Sequence, residues 1–232
     1  MKKLLSTVMW DLTLAVKYNI VAAALLVTVV YTVLFKTFSF IHVDDILIIL
    51  ILSDPVMLGF VFIGVLVLFE KGANTLQAVV VTPLKAWQYL WSKTISLTLI
   101  AAACSFVMAV VGHGWKFNYL YLALAVLLSS ALFVMLGFIG VARVSTFNQY
   151  IIIIPLFLTP MVLPFLNFFG VTDTYWFYLI PTQASLILFR AAFKNGSTLE
   201  IAYAVVYLGV CSALAYSLAR KSFEVHIIRG GD

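Results

Sequence analysis

The stretch FEKGANTLQAVVVTPLKAWQYLWSK, residues 69–93, lies between two long and almost unbroken apolar runs. It holds charges, amides, a glycine and a Thr-Pro pair, so it is too polar to cross a bilayer. It also holds valine, leucine and tryptophan, more apolar surface than a plain loop carries. The flanking runs are therefore two separate membrane passes, joined by a segment that leaves the membrane and still has apolar side chains to bury. Composition agrees: the 232 residues are 64% hydrophobic and only 10% charged, against about 25% charged in soluble domains. Mean hydropathy is +1.13. The backbone of such runs is satisfied inside the hydrocarbon core only by helix or by a closed barrel. The alternating pattern of a barrel is missing, so the expected fold is all-α and polytopic.

Working outward, residues 2–17 place Leu4, Leu5, Val8, Leu12, Ala15 and Val16 on one face at helical spacing. Lys3, Ser6, Asp11 and Lys17 are expected on the other face, and such a helix lies in the interface. The expected organisation is an interfacial helix over 1–19 and one transmembrane domain over 20–232. Six spans are read: about 20–35, within 46–69, 94–111, 119–142, from 150 onward, and 199–219. Lysine and arginine set the orientation. With the N-terminus inside, Lys2, Lys3, Lys17, Lys71, Lys85, Lys93, Arg143, Arg220, Lys221 and Arg229 face the cytoplasm; Lys36, Lys116, Arg190 and Lys194 face outward. The expectation is a multi-pass protein of the plasma membrane with both termini cytoplasmic. The net charge of +5 is that of basic membrane flanks, and no nucleic-acid partner is implied.

Residues 150–169 contain Pro155, Pro160 and Pro164, each of which removes a helix hydrogen bond. Residues 176–193 are apolar enough for a seventh span, which would change the basic balance from ten against four to nine against five. Pro181, Gln183 and Arg190 favour a broken hairpin over 167–198 that re-enters from outside.

Within the opening stretch, residues 70–81 read as a short helix with Leu76, Val79 and Val80 on one face. Thr82 suits an N-cap and Pro83 the first helical position. Trp87, Tyr89 and Trp91 follow at the depth of interfacial aromatic anchors. From these residues alone, a surface-lying connector and a partner-docking elbow are both open.

The same residues resemble the permease subunits of ABC-2-type ABC transporters. That family has an acidic residue, a Gly-x-x-Thr-Leu and a Thr-Pro-Leu between spans two and three, matched by Glu70, Gly72, Thr75-Leu76 and Thr82-Pro83-Leu84. The likeness is closest to the small six-span permeases grouped with fluoroquinolone and other drug exporters. It extends to Asp11, Tyr18, Asp54-Pro55 and the proline-rich stretch, and departs at Ala73-Asn74. The resemblance implies a homodimer or heterodimer of permeases with a separate ABC ATPase beneath each copy. It makes the 70–93 segment a coupling helix, with Glu70, Gly72, Thr75, Leu76, Val79, Val80, Thr82, Pro83 and Leu84 at the ATPase. It further implies export of a hydrophobic or amphiphilic substrate (drug, antibiotic, lipid or peptide). This chain has no Gly-x-x-x-x-Gly-Lys-Ser/Thr loop, so ATP and Mg would be held by the partner, and no cofactor is expected on this chain. A passive channel or carrier is the alternative.

Enzymatic roles find little support. His42, His113 and His226 lie in loops or the tail, and no metal-ligand spacing occurs. Cys104 and Cys211 sit in apolar runs and read as core residues. No catalytic or metal-binding residue is assigned. Candidates for a substrate path or outer gate are Asp54, Pro160, Pro164 and Arg190. Asp54 reads either as a pore-facing acid or as the N-cap of span two followed by Pro55. Arg190 reads as a gate residue or as a cation snorkelling to the interface. Residues lining a substrate pocket are expected on spans two and five.

Overall fold

With no water to receive their hydrogen bonds, apolar runs of this length satisfy their own backbone as helices. The computed structural model describes residues 2–37, 43–76, 85–172, 174–194 and 196–228, and these contain helices and no strand. Helix α1 (Lys2–Lys17) meets α2 (Ile20–Thr37) at a 65° bend. Asn19 makes the break at φ 58°, a left-handed conformation that asparagine tolerates better than most residues. Helix α3 (Val43–Ile51) runs through one wide π-helical turn (Leu52–Val56) into α4 (Leu58–Gly72). Then come α5 (Ala86–His113), α6 (Tyr119–Ala142), α7 (Phe147–Val162) and the short α8 (Pro164–Phe168). A 3-10 turn (Tyr175–Leu179) leads to α9 (Pro181–Phe193) and α10 (Thr198–Phe223), which ends in a π-helical tail (Glu224–Ile228).

Among the described residues, five helical stretches are long and apolar enough to cross a membrane: Asp44–Gly72, α5, α6, Phe147–Phe168 and Thr198–Ile227. Counting the bent α1–α2 pair as one span makes six. Helix α9 has 13 residues, about 20 Å at 1.5 Å per residue, too short for a hydrocarbon core of about 30 Å. It packs on α6 and α10, with Ala184, Leu188 and Phe189 closed off from solvent.

Span five runs from Phe147 through Pro155 and Pro160, and of the three prolines only Pro164 stands at an interruption, after Leu163. Two expectations are corrected. The inward face of α1 is Val8, Asp11, Leu14 and Ala15, while Leu5 and Val16 are exposed. Asp54 does not begin a helix. It lies inside the π turn of the continuous Asp44–Gly72 element, where the Met57 amide donates to the Leu52 carbonyl at 3.0 Å, one residue further back than in an α-helix.

The core is built where α4 and α6 approach closely, and small residues allow it. A Cβ on Gly137 of α6 would lie 2.6 Å from the Phe60 carbonyl oxygen, and one on Gly59 of α4 would lie 2.9 Å from Val134 Cγ2. The Tyr150 ring fills the space left by Gly64, and its hydroxyl donates to the Phe60 carbonyl. Helix α7 itself is little enclosed, with Ile151, Ile152 and Leu156 facing outward. Polar contacts tie the helix ends together. At one end Asp44 meets His113 Nδ1 at 2.6 Å, Lys194 meets Asp45 at 2.7 Å, and the Asn118 amide donates to the Ala192 carbonyl. At the other end, α1, α4, α5, α6 and α10 converge.

Candidate functional site

At that second end the last turn of α4 carries Glu70, the first two turns of α5 carry Tyr89 and Lys93, and α1 carries Asp11. Helical spacing aims Tyr89 and Lys93, four residues apart, the same way. Lys93 Nζ lies 2.6 Å from Glu70 Oε1 and 2.9 Å from Asp11 Oδ1. The Tyr89 hydroxyl donates to Glu70 Oε2 at 2.6 Å, and the ammonium sits 4.9 Å from the Tyr89 ring centre. Lys93 is 0% exposed, Asp11 2% and Glu70 6%. A lone ammonium is expensive at such a place, and two carboxylates beside it offset that cost through short, charge-assisted hydrogen bonds. Asp11 Oδ2 has no hydrogen-bond partner among the described residues.

The cluster joins three elements that are far apart in sequence, and it brackets the opening stretch. Glu70 closes the second long span and Lys93 opens the next. One sequence reading is corrected with it: Asp11 turns inward instead of lying on the polar face of α1. Lys93, counted among the basic residues of the flank, is buried and paired as well. The one signal in the sequence was a lysine facing into an apolar helix beside Tyr89 and Trp91.

Lys71 points elsewhere. Its Nζ donates to the carbonyls of Val144 at 2.7 Å, Val141 at 3.1 Å and Ala142 at 3.3 Å. The carbonyls of Val141 and Ala142 end α6 and that of Val144 lies just past it, where a cation is favoured by unpaired acceptors and by the helix dipole. Adjacent Glu70 and Lys71 thus latch α4 to two different neighbours.

The helix expected over 70–81 is interrupted. Glu70 and Gly72 belong to α4, the chain turns at Ala73–Asn74 with Asn74 at φ 55°, and helical backbone resumes at 75–76. Thr75 Oγ1 donates to the Glu70 carbonyl at 3.2 Å. Leu76 is 4% exposed and belongs to the chain's own core. Gly72 has open space where a Cβ would stand. Val79, Val80, Thr82, Pro83 and Leu84 lie outside the described residues. Beyond them, the Lys85 amide donates to Gln88 Oε1 at 3.0 Å and α5 begins.

The four path candidates do not form one cluster. Asp54 stands about 15 Å into its span at 1.5 Å per residue, beside Tyr31 of α2, with Oδ2 unpartnered among the described residues. Pro164 is buried at the start of α8, and the Arg190 guanidinium lies 5.0 Å from the centre of the Phe168 ring. Pro160 faces outward on α7. Among the described residues no group of histidine, cysteine and acidic side chains has the geometry to hold a metal ion. A cavity of about 590 Å³ opens between α5, α6 and α10.

Comparison with known proteins gives a consistent result. The model of the fluoroquinolones export permease protein family matches residues 2–230. Fluoroquinolones export permease proteins from two strains of Mycobacterium tuberculosis, CDC 1551 / Oshkosh and H37Rv, are each 32% identical over 185 residues. That alignment covers 77% of this chain and 77% of each relative.

Proposed function

The chain belongs to the fluoroquinolones export permease family, and from that premise we propose that it is the membrane subunit of an ABC-2-type exporter. It is a multi-pass membrane permease; the ATPase partner, the substrate and the assembly are our reading. Two copies form the translocation path, with the outward apolar face of α7 available to lipid or to the second copy. A hydrophobic or amphiphilic compound leaves through that path, driven by ATP bound with Mg on a separate ATPase subunit. The Lys93 end faces the cytoplasm, and α9 re-enters from the outer side.

One observation carries this reading: the buried Asp11–Lys93–Glu70 cluster locks both roots of the 70–93 segment to each other and to α1. A force applied to residues 77–84 by a partner cannot slide α4 past α5 without separating that buried ion pair. It is therefore transmitted to the two spans together. Val79 and Val80 supply the apolar contact to the partner. Asp54, a mid-span acid with an unpartnered oxygen, is where a cationic group on the substrate would be held.

The test is co-expression with an ABC ATPase, taken from an adjoining reading frame if one encodes it, then purification and ATP hydrolysis in lipid. A complex of two permeases and two ATPases whose hydrolysis rises with a hydrophobic cationic drug supports the proposal. A permease that purifies alone and passes solute down a gradient without nucleotide identifies a passive carrier instead.

A further inference from the structure

The cavity between α5, α6 and α10 is a lateral groove in one half of the protein. Its lining on α5 runs from Trp91 to Leu99, about 12 Å of helix at 1.5 Å per residue, close to one leaflet of a hydrocarbon core about 30 Å thick. That half is the one nearest the Lys93 end. Small residues open it: Ala131 on α6, and Gly209 and Ala213 on α10. The few hydroxyls along its length are mostly spent internally. Thr94 donates to the Leu90 carbonyl at 2.8 Å, Thr98 pairs with Ser130 at 3.2 Å, and Ser217 donates to the Ala213 carbonyl at 2.9 Å. Ser212 Oγ alone among these hydroxyls has no partner in the described residues. A ligand with many polar groups finds almost nothing to bond; a hydrocarbon chain needs nothing.

The charged end is different. Trp91 and Tyr216 stand 5.7 Å apart between ring centres, at the side of the groove that leads out of the hydrocarbon. One turn beyond Tyr216, Arg220 gives its Nε to Glu224 at 2.8 Å, and exposed Lys221 adds a second cation. Two cations against one anion leave this rim basic at headgroup depth, where aromatic rings with polar edges also settle. Apolar depth and basic rim together match an amphiphile with an aliphatic tail and an anionic head.

We propose that this groove holds one acyl chain of an anionic membrane phospholipid, with the lipid phosphate at Arg220 and Lys221. The binding is independent of the export reading. It places a resident lipid between α5, whose root carries Lys93, and α10.

Gly209 gives a clean probe, because a Cβ there meets nothing within 4 Å. Gly209→Leu fills the groove without touching the core. The purified full chain, with any subunit that accompanies it, is equilibrated with phosphatidylglycerol and phosphatidylcholine of identical acyl chains. Retained lipid is then counted by native mass spectrometry. Wild type is expected to retain phosphatidylglycerol over phosphatidylcholine by about five-fold for each cation that contributes. Arg220→Gln with Lys221→Gln removes the preference but keeps chain binding. Gly209→Leu loses both lipids while remaining monodisperse, and Ser212→Ala changes neither. Equal retention of the two lipids by wild type overturns the proposal, as does undiminished retention in Gly209→Leu. It is also overturned if a cationic hydrophobic dye takes the groove in place of lipid and Ser212→Ala weakens that dye, which would mark a drug site. A change of oligomeric state in Gly209→Leu with lipid retention intact would mark a contact between copies, and likewise sinks the proposal.

Discussion

Lys93 Nζ lies 2.6 Å from Glu70 Oε1, with Lys93 fully enclosed and Glu70 nearly so, and the last turn of α4 and the second turn of α5 are thereby joined by a buried ion pair. Removing one member of such a pair strands the others. Lys93→Met is expected to leave Asp11 and Glu70 as uncompensated buried anions, at a cost of about 3–5 kcal/mol. The variant should show a lower melting temperature in detergent and a poorer yield of monodisperse protein. Neutralising all three positions, as Asp11→Asn, Glu70→Gln and Lys93→Met, should recover most of the stability. If coupling passes through the pair, transport should not recover with it. A triple variant that is both stable and fully active would remove the mechanical role given to the cluster.

Lys71 makes a separate latch. Lys71→Met deprives the carbonyls of Val141, Ala142 and Val144 of their donor. Hydrogen bonds to a charged group contribute about 1.5–3 kcal/mol, and the half-buried position puts this one at the low end. The effect should be local. Amide hydrogen exchange should quicken in the last turn of α6 and stay unchanged around Gly137. Global loss of protection would show that Lys71 matters to the fold as a whole.

Glycine positions separate two kinds of crowding. At Gly137 a new Cβ meets the backbone oxygen of Phe60 at 2.6 Å, which cannot move without displacing α4. At Gly64 the obstacle is the Tyr150 side chain. Both Gly137→Val and Gly64→Leu should destabilise by at least the 1–3 kcal/mol typical of overpacking. Adding Tyr150→Ala should relieve Gly64→Leu, so the double variant loses less than the sum of the singles. It should do nothing for Gly137→Val. Equal relief in both backgrounds, read from melting temperatures, would contradict the packing described for α4 and α6.

The fold was legible wherever hydropathy alone decides it. The runs that became α5, α6 and α10 stand out because about 20 consecutive apolar residues have few other destinies. What was not legible came from partners distant in sequence. Asp11 was assigned to the polar face of α1 because it is an acid among charges, yet its partner Lys93 lies in another helix. The Asp54-Pro55 pair carries the local marks of a helix start, but a π turn lets the helix run through the proline. Pro155 and Pro160 likewise stand inside a continuous helix, since a proline in a membrane helix is tolerated when neighbours and local adjustment take up the freed groups. In the candidate site, Glu70 was found by its place in the motif, whereas Tyr89 was read only as an interfacial anchor.

The Leu76 and Val80 positions distinguish a docking surface from a structural elbow. Leu76 is buried in the chain's own core, so Leu76→Asp places an unpaired charge among apolar neighbours and costs several kcal/mol of fold stability, on the order of the burial penalty for an isolated charged or polar group. That variant should fail by misassembly: less protein inserted, a lower melting temperature, and loss of the proposed ATPase partner as a consequence. Val80→Asp is expected to behave otherwise. If Val79 and Val80 form the apolar face offered to the ATPase, the charge is buried only in the complex. The permease should then insert and melt as wild type, while the ATPase is lost from pull-downs and transport stops. Reversing the charge to Val80→Lys should fail in the same way, since a cleft that accepts valine desolvates either sign. A connector lying on the membrane surface would accept aspartate at Val80 with no loss of partner. Wild-type pull-down and transport by both Val80 variants, with Leu76→Asp still unstable, would leave the 70–93 segment a structural elbow and remove it from the proposed ATPase contact.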